Sequence, residues 1–199
     1  MRLGLNETFA VGGTRLFVAQ PLAQLVEPAP VGLTGLDAIQ QEMERLPQGC
    51  RRLAVQLRLN LAPDWIWAVL TDYNNLSQFI PNLLSSRQLW RRGSVVGLEQ
   101  EGAQQFIGLR FRAKVELELT EHLEERRLSF VMRKGDFRRF EGLWQLQVDR
   151  TGATSLLYEL TVQGCIGMPI GLIEQRLRDD LAANLRAVEQ EAQRRAALA

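Results

Sequence analysis

The stretch FIGLRFRAKVELELTEH, residues 106–122, has the clearest periodicity in the chain. Apolar side chains occupy every second position, which is typical of a β-strand with one buried face. The run exceeds the usual strand length of about 5–6 residues, so it predicts a strongly curved sheet. Its apolar face consists of Ile107, Leu109, Phe111, Ala113, Val115, Leu117 and Leu119.

Strand-like runs lie on both sides of this stretch. An alternating run over residues 51–61 comes first, and a helix is predicted from about 63 to 72, because Pro63 suits a first helical turn and apolar residues follow at helical spacing. With the later runs, this pattern predicts seven strands and one helix inserted after the first. The remaining strand runs are SSRQLWRR, VVGLEQEGAQ, RRLSFVMRKG, RRFEGLWQLQVDR and TSLLYELTVQG.

A long helix is predicted at the end of the chain, roughly from Pro169 to Ala197. Its apolar residues recur every three or four positions, whereas Glu174 is expected to face away. The concave face of the sheet is the surface that can bury this stripe, so we expect a space between sheet and helix. The stripe comprises Ile170, Ile173, Leu177, Leu181, Leu185 and Val188.

Residues 1–50 differ from the rest of the chain because Pro and Gly interrupt every candidate element. We expect a partly irregular N-terminal extension, followed by one domain over residues 51–199. Within the extension, the spacing of Leu36, Ile39, Met43 and Leu46 predicts one helix.

The charge balance is close to neutral, with 24 basic and 23 acidic residues. It gives no reason to expect a nucleic acid partner or an acidic substrate. The sequence shows neither the apolar run of a secretory signal nor one long enough to cross a membrane. We therefore expect a cytoplasmic protein.

Residues for metal or nucleophilic chemistry are scarce. His122 is the single histidine, and Cys50 and Cys165 lack the spacing of a zinc or redox motif. Metal-ion catalysis and Ser/His or Cys/His triads need several ligands, or a base beside a nucleophile. We therefore expect no metal and no cofactor.

Four stretches resemble a known family: VLTDYNNLSQFIPNLLSSR, LEQEGAQQF, GDFRRFEGLW and SLLYELTVQ, the last followed by a Pro and the long helix. They resemble the START-like polyketide cyclase/dehydrase and coenzyme Q-binding group of the Bet v 1-like (SRPBCC) superfamily, most closely its cyanobacterial and plant-plastid members. The resemblance covers residues 51–195. It implies an α+β helix-grip fold, in which a seven-stranded curved antiparallel sheet wraps around a long C-terminal helix and leaves a hydrophobic tunnel.

Strand parity predicts which side chains face this tunnel. Gln100 and Tyr158 are of special interest, because a buried amide or phenol needs a hydrogen-bond partner that a ligand could supply. Tyr73, Phe79 and Ile80 are expected to wall one end. The candidate ligand-binding residues are Leu98, Gln100, Leu109, Phe111, Phe130, Met132, Trp144, Tyr158, Ile173 and Leu177.

Basic residues bracket the turn at Asp136. A basic rim could hold an anionic head group or touch a membrane during delivery, and the alternative is an ordinary solvated face. The residues at the turn are Arg133, Lys134, Arg138 and Arg139, and Arg91 and Arg92, which end another strand, could join the same rim.

Three functions fit the sequence. The leading hypothesis is non-enzymatic binding and transport of an apolar small molecule such as a lipid, isoprenoid, quinone or polyketide-like compound. The first alternative is a cyclase or dehydratase, which needs an acid/base group inside the tunnel. The second is an interaction module with a filled core, which predicts no pocket of lipid size. The sequence predicts neither the ligand nor the oligomeric state.

Overall fold

The computed structural model describes the backbone of residues 39–106, 109–165 and 170–199, and the side chains of residues 39–103, 112–165, 174 and 177–199. The chain divides into two compact units, Met1–Thr34 and Gly35–Ala199, and all described residues belong to the second.

The described part of the chain contains one antiparallel sheet of eight strands. Its strand order is β1-β2-β8-β7-β6-β5-β4-β3, so β1 and β3 are the edges. The predicted α+β helix-grip fold is confirmed, with one strand more than expected. The strands are β1 (Gln40–Arg45), β2 (Arg51–Leu59), β3 (Leu83–Arg92), β4 (Val95–Phe106), β5 (Leu109–His122), β6 (Arg127–Gly135), β7 (Phe137–Val148) and β8 (Thr154–Gly164).

The additional strand is β1, where the sequence predicted a helix over Leu36–Leu46. That prediction is wrong for Gln40–Arg45, which pairs antiparallel with β2 from Gln40 opposite Gln56 to Arg45 opposite Arg51. A tight 3-10 turn, Pro47–Gly49, reverses the chain and places the segment beside β2. Pairing with a neighbouring strand therefore outweighs the local helical spacing.

The first helix, α1 (Pro63–Leu70), follows β2 as predicted. Pro63 stands in its first turn, and Ile66, Val69 and Leu70 are buried. The chain then makes one short 3-10 turn, Leu76–Gln78, before it enters β3. This connection brings buried Tyr73 against the sheet.

The long helix α2 (Ile170–Ala196) packs on the sheet and on α1. Its buried residues Leu181, Leu185, Val188 and Ala192 recur every three or four positions and are at most 3% exposed. They form the helix side of the core. Neither this helix nor α1 is long and apolar enough to cross a membrane.

The expectation that Glu174 faces away from the protein is wrong. Its carboxylate is buried and accepts hydrogen bonds from Arg51 Nε at 2.5 Å and from Arg45 Nη2 at 2.8 Å. Arg45 lies on β1 and Arg51 on β2, so the pair holds the start of α2 to this hairpin. These guanidinium groups also keep the pKa of the Glu174 carboxyl below its usual value.

Gly142 on β7 lies where the neighbouring strands leave no room for a side chain. It pairs with Phe130 on β6 and with Leu160 on β8, and an added Cβ would lie 2.7 Å from Phe130 Cζ and closer still to the Glu159 carbonyl oxygen. We expect Gly142→Ala to lower the free energy of unfolding by about 1–3 kcal/mol, because overpacking strains the sheet.

Denaturant unfolding measures this change, and Gly102→Ala is the matched control. There the nearest atom to an added Cβ is Asn82 O at 3.5 Å, an ordinary contact, so a change within about 0.5 kcal/mol is expected. Equal stability of both variants would contradict this description of β7.

Candidate ligand-binding site

A cavity of about 350 Å³ lies between the inner face of the sheet and α2. Most of its wall is apolar. Strands β4 to β8 supply one side, α2 supplies the other, and α1 with the following connection supplies one end. The apolar wall residues are Leu70, Leu76, Ile80, Pro81, Leu83, Leu98, Ala103, Ala113, Val115, Leu117, Leu119, Leu128, Phe130, Phe137, Phe140, Trp144, Leu160, Val162, Leu177, Leu181 and Val188.

Strand register explains how distant residues share this wall. Leu98 on β4 pairs with Leu117 on β5, and Leu119 pairs with Phe130 on β6. Side chains alternate between the two faces of a strand, so residues directly opposite one another point to the same side. The alternation in the sequence thus becomes a continuous apolar surface.

Trp144 and Tyr158 form a stacked pair in the wall. They are directly opposite on β7 and β8, with ring centroids 3.9 Å apart and an interplanar angle of 7°. Tyr158 is only 7% exposed, and burial raises the pKa of its phenol. At neutral pH this phenol is therefore an uncharged hydrogen-bond donor and not a base.

Tyr73 and Gln100 connect the cavity wall to polar residues behind it. Tyr73 donates a hydrogen bond to Glu121 at 2.6 Å, and Arg91 pairs with the same carboxylate at 2.8 Å. Burial alone would raise the pKa of Glu121, but hydrogen bonds from Arg91 and Tyr73 outweigh it, so this pKa lies below its usual value. The Gln100 amide donates to Ser86 Oγ at 3.2 Å.

The cavity has a mouth where the lining residues Pro81, Asn82 and Arg112 are exposed. Asn82 donates a hydrogen bond to Asp180 on α2 at 3.0 Å, and its carbonyl accepts one from Ala103 on β4 at 2.9 Å. The connection before β3 is therefore bonded to both sides of the opening. Arg112 and Asp180 are the charged residues in the described wall.

The two tyrosines of the chain give a pH prediction. Burial raises the pKa of both Tyr73 and Tyr158 above the ordinary value of about 10. In native protein we expect no tyrosinate absorbance as the pH passes about 10, whereas denatured protein should titrate there.

Linkage gives the sign of the stability change. The unfolded chain loses these protons first, so the stabilisation is complete below about pH 10 and the free energy of unfolding falls above it. A native titration of both tyrosines with a midpoint near the ordinary value would show that they are not buried as described.

The structure brings together six of the predicted site residues and leaves one outside the wall. The half-buried Met132 packs on the core, with its sulfur over Gly135, next to a register shift between β5 and β6. The side chains of Leu109, Phe111 and Ile173 lie outside the described residues. The six in the wall are Leu98, Gln100, Phe130, Trp144, Tyr158 and Leu177.

The connection before β3 fits its predicted position only in part. Tyr73 and Ile80 line the cavity, whereas Phe79 packs against the core. The sequence analysis missed Asn184 on α2, which also lines the cavity. Its spacing from Leu181 and Val188 is the signal that could have identified it.

The predicted basic rim consists largely of ion pairs. Arg133 contacts Glu118 at 2.5 Å and Lys134 contacts Glu116 at 3.3 Å. Arg139 pairs with Glu141, and Arg91 with Glu121 as described above. The acidic partners offset much of the positive charge, which favours an ordinary solvated face.

Among the described residues, no group of three or more His, Cys, Asp or Glu side chains is placed to hold a metal ion. Cys50 is buried and Cys165 is exposed, and both are free thiols. His122 Nε2 lies 3.3 Å from Ser129 Oγ.

Comparisons with known proteins agree with the fold. The family model for "Polyketide cyclase / dehydrase and lipid transport" matches residues 59–189. A comparison with curated protein sequences finds no match.

Several solved structures are similar to the chain. The STAR-related lipid transfer protein from Xanthomonas axonopodis has a TM-score of 0.65 and 17% identity, with 78% of this chain and 93% of that chain covered. The Zhui aromatase/cyclase from Streptomyces sp. R1128 has a TM-score of 0.64 and 15% identity, covering 74% and 96%. Human STARD10 has a TM-score of 0.64 and 6% identity, covering 78% and 69%. At these identities the likeness shows the fold alone.

Proposed function

The chain belongs to the polyketide cyclase / dehydrase and lipid transport family, and on this basis we propose that it binds and transports one hydrophobic small molecule in its cavity. The observation that carries the proposal is the cavity itself. Its volume of about 350 Å³ lies within the range of about 300–1,000 Å³ common for ligand pockets. An apolar wall of this size favours a ligand that is itself mostly apolar.

The cavity volume also limits the ligand. Because it lies near the lower end of the usual range, a single-chain or compact ring molecule fits better than a lipid with two long chains. An isoprenoid, a short-chain quinone, a fatty acid or a polyketide-like ring compound meets this requirement.

Two observations favour binding over the alternatives. The open space argues against a core filled by its own side chains. A cyclase would need an acid or base beside the reacting atoms, but the charged residues of the described wall, Arg112 and Asp180, lie at the mouth. Tyr73 and Tyr158 remain protonated at neutral pH because burial raises their pKa values, so neither phenol can act as a general base.

Tryptophan fluorescence tests the proposal, because Trp144 lines the cavity. A panel of a short-chain ubiquinone, an isoprenoid alcohol, a fatty acid and an aromatic polyketide mimic is titrated into the protein. We expect saturable quenching by at least one of them at one molecule per chain. A panel without any saturable change would contradict the proposal.

Two variants test whether the fluorescence quenching arises in the cavity. Trp144→Phe should lose most of the quenching, whereas Trp90→Phe should keep it, because Trp90 is 38% exposed on the edge strand β3. Delivery is then tested by mixing loaded protein with empty phosphatidylcholine vesicles. Transfer of the ligand to the vesicles supports transport, and retention on the protein reduces the function to binding.

A further inference from the structure

We propose that Tyr158 selects a ligand with a carbonyl group, because its hydroxyl donates a hydrogen bond to that oxygen inside the cavity. This inference rests on the proposed function and narrows its ligand class to apolar molecules that carry a ketone-type carbonyl. The observation behind it is a buried phenol in the apolar wall whose hydroxyl has no partner among the described residues.

The Tyr158 hydroxyl is reachable from the cavity. Burial alone raises the pKa of this phenol, without a hydrogen-bonding partner or a charge among the described residues. Two side-chain atoms of the described residues lack both a partner and accessible surface, Arg127 Nε and Asn184 Oδ1, and the Tyr158 oxygen is not one of them. The unpaired oxygen therefore keeps accessible surface. Because Tyr158 is only 7% exposed and lines the cavity, that surface belongs to the cavity.

The two tyrosines of the wall differ in what their hydroxyl groups contact. The Tyr73 hydroxyl already donates its proton to Glu121 at 2.6 Å. The Tyr158 ring is instead held between aromatic neighbours: it stacks on Trp144 at 3.9 Å and lies 6.2 Å from the Phe130 ring, both measured between ring centroids. These contacts fix the position of the Tyr158 hydroxyl, so it is a preorganised donor.

Ligand binding decides whether this donor is satisfied. In the empty cavity water can reach the hydroxyl, but an apolar ligand expels that water. A pure hydrocarbon would leave the hydroxyl buried without a partner, which is unfavourable. A ligand oxygen placed beside it replaces the lost hydrogen bond, so Tyr158 favours ligands that carry such an oxygen.

The surroundings of the hydroxyl favour a carbonyl as the acceptor. A carboxylate would bring a charge into an apolar wall, and the described arginine of this wall, Arg112, lies at the mouth. A ligand hydroxyl would bring a donor of its own, which then needs a second partner. A carbonyl oxygen offers only lone pairs, so the single proton of Tyr158 satisfies it without leaving another group unpaired.

The test compares a ketone with its methylene analogue. Geranylacetone is a short isoprenoid ketone, and replacing its C=O by C=CH₂ keeps the shape but removes the acceptor. Isothermal titration calorimetry measures both affinities. From wild type to Tyr158→Phe, we expect the affinity ratio of ketone to hydrocarbon to fall about threefold to tenfold, the change expected from one net hydrogen bond.

Tyr73→Phe is the matched control, because it makes the same change at the other tyrosine of the wall. Its hydroxyl donates to Glu121, so the variant should change both affinities by the same factor and keep their ratio. Binding of the hydrocarbon by Tyr158→Phe shows that this variant is folded and that its cavity is open.

Infrared spectroscopy of bound geranylacetone with a ¹³C-labelled carbonyl gives a readout that does not depend on stability. We expect the carbonyl stretch in wild type at a lower wavenumber than in hexane, because a hydrogen bond weakens the C=O bond. In Tyr158→Phe the stretch should return to its value in hexane, whereas Tyr73→Phe should keep the wild-type value. The wild-type spectrum alone tests the inference even if a variant fails to fold.

The possible outcomes separate the two proposals. If Tyr158→Phe keeps the wild-type affinity ratio, or if the wild-type carbonyl absorbs as in hexane, the carbonyl inference is overturned and hydrophobic binding stands. Binding of the isoprenoid alcohol or the fatty acid without binding of geranylacetone also overturns it. If only the quinone binds, its carbonyl stretch and its response to Tyr158→Phe decide in the same way. If no compound binds, both proposals fail.

Discussion

Val115→Trp is expected to abolish binding of apolar ligands while the protein remains folded. Val115 lies on β5 opposite Gln100, is 7% exposed, and lines the cavity. An indole at this position would project into the space of about 350 Å³ and compete directly with the ligand. We expect the affinity to fall at least about a hundredfold, a loss of roughly 2.7 kcal/mol of binding free energy.

The chain offers a matched control for this variant. Val148 is the last residue of β7, is 50% exposed and does not line the cavity, so Val148→Trp makes the same change at an exposed strand end. Its affinity should equal that of wild type. Overpacking a core typically lowers the free energy of unfolding by about 1–3 kcal/mol. We expect a smaller loss in Val148→Trp, because its new ring enters open space. Wild-type affinity in Val115→Trp would show that the ligand binds elsewhere.

Leu185→Ala is expected to cause the largest loss of stability among these substitutions. Leu185 is fully buried in the stripe that attaches α2 to the rest of the core. Truncating a buried leucine to alanine typically costs about 2–5 kcal/mol, because buried contacts are lost and a void remains. Urea unfolding measures the change. An unaltered slope of the unfolding free energy against urea concentration would show that the substitution changes stability and not the compactness of the folded or unfolded state.

Leu198→Ala is the control, because this leucine follows α2 and is 75% exposed. We expect its free energy of unfolding to lie within about 0.5 kcal/mol of the wild-type value. A loss below about 1 kcal/mol in Leu185→Ala would contradict the description of α2 as a firmly packed wall of the cavity.

Elements with strong periodicity could be predicted from the sequence. The alternation through Val115, Leu117 and Leu119 identified the inner face of β5, and these residues are buried. The spacing of Ile66, Val69 and Leu70 similarly identified α1. In each case one face is buried over the described positions of the element, so the apolar pattern is unambiguous.

The edge strand β1 could not be predicted in the same way. Most of its residues are exposed, so burial imposes little alternation on its sequence. Its structure depends on pairing with β2 after the turn at Pro47–Gly49. Helical spacing from Leu36 to Leu46 was therefore a misleading local signal.

Wall residues on regular strands could be predicted from the alternation of side chains between the two faces. Residues beside a register shift or on the helix were harder to predict. Parity placed Leu98, Trp144 and Tyr158 in the wall, but Met132 lies beside a register shift that sequence spacing does not reveal. Asn184 was missed because a polar residue within an apolar helix stripe is ordinarily assigned to the solvent side. Its buried, unpaired oxygen is visible only in three dimensions.

Native mass spectrometry of the protein purified from a lipid-rich host, followed by solvent extraction, tests most directly whether the cavity holds an apolar ligand. We predict a complex of one chain with one small apolar molecule in the wild type and in Val148→Trp, and ligand-free protein in Val115→Trp. Equal occupancy of all three proteins would contradict the cavity as the binding site. Ligand-free wild-type protein that also remains empty after incubation with the ligand panel would contradict hydrophobic binding itself.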